Sequence, residues 1–166
     1  IRVGSSTGIN GENFIDSKFI QNITNANNLN IPVGVYFYSH ANSKERAISD
    51  AKWVLEQIKD YNVELGVALD WENWNSFNEF NLSFFGLTNM ANEFLKVIND
   101  AGYKTLLYSS KTYLENMWMD IEYPIWLAHY VKNTTYKDDY EYWQICSNGQ
   151  VEGIDADVDI DIRYLN

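Results

Sequence analysis

Asp70 and Glu72 stand two residues apart at the end of the run Gly66-Val67-Ala68-Leu69-Asp70-Trp71-Glu72. Side chains on a strand alternate between its faces. Gly66, Ala68, Asp70 and Glu72 therefore share one face, and Leu65, Val67, Leu69 and Trp71 share the other. Alternate α-carbons on an extended strand are roughly 7 Å apart, a spacing that suits two carboxylates working on one substrate bond. Glycoside hydrolysis has that requirement. One carboxylic acid protonates the leaving oxygen, and a second carboxylate stabilises or attacks the developing cation. Crowding of like charges raises one pKa and keeps that group protonated near neutral pH. The rival reading is a solvated acidic strand end, and Asp-x-Glu alone does not choose between them.

A second acidic group, Asp155, Asp157, Asp159 and Asp161, alternates with Ile154, Ala156, Val158, Ile160 and Ile162. The period of two reads as a strand with one acidic and one apolar face. A calcium loop is disfavoured because Ile160 stands where a glycine would make the sharp turn. A buried face cannot hold four unpaired carboxylates, so some belong to a loop or rim and one or two face a cleft. Other chemistries find little support. His40 and His129 are the only histidines and fall in no metal-ligand spacing. There is no Gly-x-Ser-x-Gly elbow and no phosphate-cradling glycine loop. The one cysteine, Cys146, lies in an apolar strand-like run and reads as a buried, inert thiol. The expectation is a site with no metal and no cofactor.

Seven runs have strand character: Ile1 to Gly4, Pro32 to Tyr38, Glu64 to Trp71, Lys104 to Ser109, Ile125 to Tyr130, Tyr142 to Cys146 and Ala156 to Ile162. Helical patterns run from Asn13 to Asn28, from the N-cap candidate Ser43 to Lys59, and from Thr88 to Ala101 before Gly102. A short helix begins at Lys111. Strand alternating with helix predicts βαβ units and a mostly parallel sheet. The last three strands follow one another without a long helix. The fold class is therefore α/β, an irregular TIM-like β/α barrel with consecutive β-strands at its C-terminal end. In such a barrel the bulky face of 65–71 packs outward, and Asp70 and Glu72 come at the C-terminal end of their strand, where barrel enzymes place their sites.

The chain of 166 residues, 46% hydrophobic and 21% charged, suits one domain. A net charge of -11 argues against nucleic acid and against anionic membrane surfaces. No apolar run approaches the roughly 20 residues of a membrane span. Aromatic residues make up 16%. They serve as core or as platforms for sugar rings, and composition does not separate these uses.

Four runs, taken in order, resemble glycoside hydrolase family 25, the Chalaropsis-type lysozymes of bacterial and phage lysins. They are Ile31-Pro32-Val33-Gly34-Val35-Tyr36-Phe37-Tyr38-Ser39, then Ala68-Leu69-Asp70-Trp71-Glu72, then Pro124-Ile125-Trp126-Leu127-Ala128-His129-Tyr130. The fourth is Trp143-Gln144-Ile145-Cys146-Ser147 followed by Gly149, Val151, Gly153 and Val158-Asp159-Ile160-Asp161. The resemblance implies cleavage of the β-1,4 bond between N-acetylmuramic acid and N-acetylglucosamine in peptidoglycan, by a secreted or phage-released lysin acting on the bacterial cell wall. Glu72 matches the general acid, Asp70 the assisting carboxylate and Asp159 an aspartate lining the same cleft. Tyr36, Tyr38, Tyr108, Trp126, Tyr130 and Gln144 match positions that shape the sugar groove. Asp161 stands where the family has Asn. Residues 1–166 read as a single catalytic domain lacking about one βα unit ahead of Ile1. That departure leaves two further expectations: a barrel completed by self-association or by a separate N-terminal segment, and, as the alternative function, a glycan-binding remnant without turnover.

Overall fold

The computed structural model describes residues 1–164. In chain order the elements are β1 (Arg2–Ser6), β2 (Asn13–Ile15), α1 (Phe19–Asn28), β3 (Gly34–Tyr38), α2 (Lys44–Ile58) and β4 (Gly66–Asp70). A 3-10 helix follows (Trp74–Phe80), then α3 (Phe84–Asp100), β5 (Thr105–Ser110), α4 (Lys111–Asn116), β6 (Ile125–Ala128), β7 (Tyr142–Gly149) and β8 (Val158–Arg163). The strands form one sheet in the order β2-β1-β3-β4-β5-β6-β7-β8. Pairing is parallel from β1 through β7 and antiparallel at both ends, β1 with β2 and β7 with β8. The expected α/β architecture is present. Among the described residues β2 and β8 do not pair, so the sheet is barrel-like but open. Its curl is evident from contacts across the inner face: the rings of Tyr36 on β3 and Trp126 on β6 meet edge to face at 6.4 Å. The Tyr142 hydroxyl on β7 donates to the Leu65 carbonyl ahead of β4 at 3.2 Å.

Alternation along the strands sorts side chains between two environments. Outward-facing Val35, Phe37, Val67, Leu69, Leu107, Leu127 and Trp143 join the main hydrophobic core. The helices cover them. Ser43 caps α2 by accepting from the Arg46 N–H at 3.2 Å, and Ala47, Ala51, Val54 and Ile58 form its buried stripe. Ser83 caps α3 through the Gly86 N–H at 3.0 Å, and Leu87, Met90, Ala91, Phe94, Leu95 and Ile98 are buried along it. That cap starts α3 four residues before the expected Thr88. Inward-facing Gly66 begins β4 at φ +99, and a Cβ there would sit 2.8 Å from the Lys104 carbonyl oxygen. Only glycine lets β4 and the approach to β5 come so close.

Among the described residues the sheet has eight strands rather than the seven expected. The extra strand, β2, lies inside the stretch read as the first helix. Gly8, at φ +123, turns the chain so that Thr7 N–H donates to the Glu12 carbonyl at 3.1 Å, and Asn13–Ile15 folds back on β1. The Asp16 carboxylate then accepts from the Lys18 N–H at 2.8 Å, and the helix starts only at Phe19. Three residues are too few to display a period, so this edge strand left no pattern to read.

Candidate active site

β4 ends at Asp70, and Glu72 lies just beyond it in the loop toward the 3-10 helix. The expected extension of this strand through Trp71 is therefore slightly too long, although both carboxylates do come to its C-terminal end. Asp70 is only 6% exposed, and its Oδ1 is buried without a hydrogen-bond partner among the described residues. Burial pushes its carboxyl well above the usual carboxylate range. The charge of Glu72 pushes the same way, and the Arg2 guanidinium opposes. Glu72 is exposed as a residue, yet the cleft shelters its carboxyl enough that desolvation raises its pKa also. The charge of Glu72 thus adds to burial in favouring the protonated form of Asp70.

Register fixes what stands beside this pair. Tyr38 on β3 and Tyr108 on β5 are the lateral partners of Asp70, and Trp126 on β6 is the partner of Tyr108. Burial, followed by the charges of Asp70 and Glu72, raises the pKa of Tyr38. Tyr108 is also pushed far up, by burial first and then by Glu72 and Tyr130. The rings of Tyr108 and Trp126 meet edge to face at 5.0 Å. Gln144 on β7 is 3% exposed, and its Oε1 accepts from the Tyr108 hydroxyl at 2.8 Å and the Tyr130 hydroxyl at 2.6 Å. Tyr130 lies past the end of β6 and is 52% exposed, a rim residue rather than the strand residue expected.

The acidic strand divides as its alternation required. Asp155 and Asp157 are exposed ahead of β8, and Asp157 accepts from the Gln150 amide at 2.7 Å. Asp159 and Asp161 lie on β8 itself. Asp161 accepts from the Trp126 indole N–H at 2.7 Å. Its pKa is raised by burial, lowered by that bond and raised by the charge of Asp159. Two residues before Asp161 on the same strand, Asp159 shares its face, and it is exposed. Beneath these groups a cavity of about 190 Å³ is lined by Tyr36, Ala68, Leu106, Trp126, Tyr142 and Asp161, among others. The structure thus gathers Asp70, Glu72, Tyr36, Tyr38, Tyr108, Trp126, Tyr130, Gln144 and Asp159 on one side of the sheet.

Several groups at the site were not singled out in the sequence. The loop after β3 is stitched to the loop after β4: Ser39 N–H donates to the Asp70 carbonyl at 2.7 Å, and the Trp71 indole donates to the Ala41 carbonyl at 3.0 Å. The Asn73 side chain, 8% exposed, donates to the Ser39 carbonyl at 2.9 Å. Its Oδ1 is then the acceptor for the His40 Nδ1–H at 2.6 Å. The only clue was a polar residue directly after Glu72. Cys146 is half-buried rather than buried, and it follows a β-bulge in β7 after Gln144. Among the described residues no three His, Cys, Asp or Glu side chains gather as a metal-binding group.

Comparison with known proteins places this arrangement. The family described as "Glycosyl hydrolases family 25" matches residues 7–154. An uncharacterized protein of Escherichia coli (strain K12), YegX, is 26% identical over 157 residues, covering 92% of this chain and 55% of its own length. The modular autolysin LytC from Streptococcus pneumoniae, solved in complex with a synthetic peptidoglycan ligand, superposes with a TM-score of 0.84 at 26% identity. That match covers 98% of this chain and 39% of LytC. The Clostridium perfringens spore cortex lytic enzyme SleM shares the fold, with a TM-score of 0.78 at 21% identity over 96% of this chain and 57% of SleM. The chain spans about half the length of the curated relative it matches.

Proposed function

The chain belongs to glycosyl hydrolases family 25, and from that premise we propose that it hydrolyses the β-1,4 bond between N-acetylmuramic acid and N-acetylglucosamine in bacterial peptidoglycan. The observation that carries the reading is the carboxyl pair at the end of β4. Asp70 is buried with an unpartnered oxygen, Glu72 is beside it at the mouth, and both have raised pKa values. Glu72, the more accessible carboxyl, serves as general acid. It delivers its proton to the glycosidic oxygen as the bond to the anomeric carbon breaks, so the leaving sugar departs as a neutral alcohol. Asp70, deeper and with one carboxyl oxygen unpartnered, orients the substrate and stabilises the cationic centre. Asp159 lines the opposite side. Water completes hydrolysis at the anomeric carbon, and its proton returns to Glu72.

Tyr36, Tyr38, Tyr108, Trp126 and Tyr130 supply the faces and hydroxyls of a sugar-binding groove, with Gln144 among them. Residues 1–166 act as one catalytic domain, and the protein reaches the cell wall by secretion or by phage release. Among the described residues no helix is long and apolar enough to cross a membrane.

The test is to incubate the chain and its Glu72→Gln variant, both shown folded by circular dichroism, with purified peptidoglycan and to identify new reducing ends. The parent should release N-acetylmuramic acid reducing ends and the variant none. Reducing ends on N-acetylglucosamine would overturn the bond assignment. A folded parent that releases nothing, yet binds glycan, would be a binding barrel rather than an enzyme.

A further inference from the structure

The connection between β6 and β7, residues 129–141, carries the chain from the C-terminal to the N-terminal end of the parallel strands without helix or strand. Irregular connections of more than about a dozen residues are uncommon in compact domains, and those that are ordered usually serve a function. The far end of this one helps to line an open cavity of about 800 Å³. Lys104 directly before β5, Glu141 directly before β7 and Arg163 at the end of β8 line it too. β8 runs antiparallel to β7, so all three lie at the N-terminal end of the parallel strands. Asp70 closes β4 at the opposite end, and a strand of that length separates the two ends by roughly 15 Å. The cavity is therefore distinct from the cleft that holds the carboxyl pair.

Its charges are already engaged. Lys104 pairs with Glu141, and Arg163 approaches the same carboxylate at 3.6 Å. The two cations also lie 5.8 and 5.6 Å from the centre of the Tyr142 ring. Lys137 is offset by its neighbours Asp138 and Asp139 at the rim. No excess of charge is left to attract an ion, and the chain's net charge of -11 opposes an anionic polymer. What the cavity offers instead is Tyr136, Tyr140 and Tyr164. The Tyr140 ring lies 6.1 Å from that of Tyr136 and meets Tyr164 edge to face at 5.3 Å. Tyr136 and Tyr140 pack against the hydrophobic core, which fixes their rings before any ligand arrives. Phenol hydroxyls donate and accept, as sugar hydroxyls do, and an aromatic face suits the C–H face of a pyranose. We propose that this cavity is a second glycan site, which holds an uncharged N-acetylglucosamine ring of a peptidoglycan strand without cleaving it. This rests on the peptidoglycan reading above and adds a second point of attachment to the same polymer.

Backbone amide shifts of the Glu72→Gln chain, followed by NMR, test it without turnover. The probe is a peptide-free tetrasaccharide of alternating N-acetylglucosamine and N-acetylmuramic acid. Two groups of residues should respond, one around Asp70 and Tyr108 and one over 136–141 and around Arg163. Tyr140→Ala should abolish the second response and leave the first. Tyr164→Ala, a change at an exposed residue past the end of β8, should weaken the same response with circular dichroism unchanged. With Glu72 intact, either change should slow the digestion of insoluble peptidoglycan on the order of tenfold, because one of two attachments is lost. Neither should change kcat/KM on the tetrasaccharide. A response at the cleft alone, or equal slowing on both substrates, would overturn the second site while leaving the peptidoglycan reading in place. So would a response over 136–141 to free stem peptide and not to the tetrasaccharide, which would make the cavity a peptide site. If the tetrasaccharide moves neither group, the peptidoglycan reading itself fails and takes this proposal with it.

Discussion

The side-chain amide of Asn73 reaches back across the end of β4 to donate to the carbonyl of Ser39, one residue past the end of β3. With the Ser39 N–H on the Asp70 carbonyl, it brackets the segment 70–73, and Glu72 sits inside the bracket. Glu72 makes no side-chain hydrogen bond of its own among the described residues, so its placement depends on this backbone clamp. Replacing Asn73 with Ala strips the buried Ser39 carbonyl of a partner, a cost of about 1–3 kcal/mol. The clamp also predicts a fall in kcat on the order of 10- to 100-fold with KM little changed. Thermal melts and steady-state kinetics measured together check it; a variant that loses stability but keeps its kcat would show the clamp to be structural only.

Asp70→Asn should make the protein more stable at neutral pH while abolishing activity. The folded-state pKa of Asp70 is raised, chiefly by burial and then by Glu72. The proton is therefore bound more tightly in the folded than in the unfolded chain. Stability from this group is fully present below the ordinary aspartate range and is lost as pH rises through the raised value. An asparagine never ionises and escapes that loss. A gain of about 1–3 kcal/mol at pH 7, shrinking to nothing in acid, is expected from denaturant melts across pH. A variant less stable than the parent at pH 7 would contradict it.

Glu72 must be protonated to act as an acid, and its pKa lies above its ordinary 4.5 because of desolvation. Activity should therefore fall as pH rises through that raised value, with the alkaline limb of kcat/KM displaced upward from the ordinary glutamate range. In Glu72→Gln the neighbouring charge is gone, so the Asp70 titration, followed by carboxyl NMR, should move down yet stay above the ordinary range, because burial remains.

Trp71 faces away from the cleft, fully buried against Trp74, Phe77, Phe80 and Trp118. Its indole N–H holds the Ala41 carbonyl. Trp71→Ala should cost about 3–5 kcal/mol. Trp71→Phe keeps much of the packing but leaves Ala41 unpaired and should cost about 1–3 kcal/mol. Chemical denaturation separates the two.

Much of this architecture is legible in the sequence because periodicity survives burial on one face. The alternation from Leu65 to Trp71 places Asp70 on the inner face and Leu69 in the core, as found. The stripe Ala47, Ala51, Val54, Ile58 marks the buried side of α2. Elements shorter than a period or two leave no such trace. β2 is three residues of an exposed edge, and the 3-10 helix after Glu72 follows from packing of Trp74 and Phe80 around Trp71 rather than from any local pattern.

The sequence by itself determined that two carboxylates end an inward-facing strand of an α/β sheet, and that aromatic residues on neighbouring strands share its face, because face alternation is a local property of the extended chain. Tertiary structure alone decided how deep each group lies and what it touches. The depth of Asp70 and the openness around Glu72 come from strand ends and loops that register sets, not from their spacing. The joining of Tyr108, Tyr130 and Gln144 spans three segments whose meeting depends on the curl of the whole sheet. Desolvation and hydrogen-bond partnership are properties of that assembly, and they are what turn two acidic side chains into a candidate acid and its assistant.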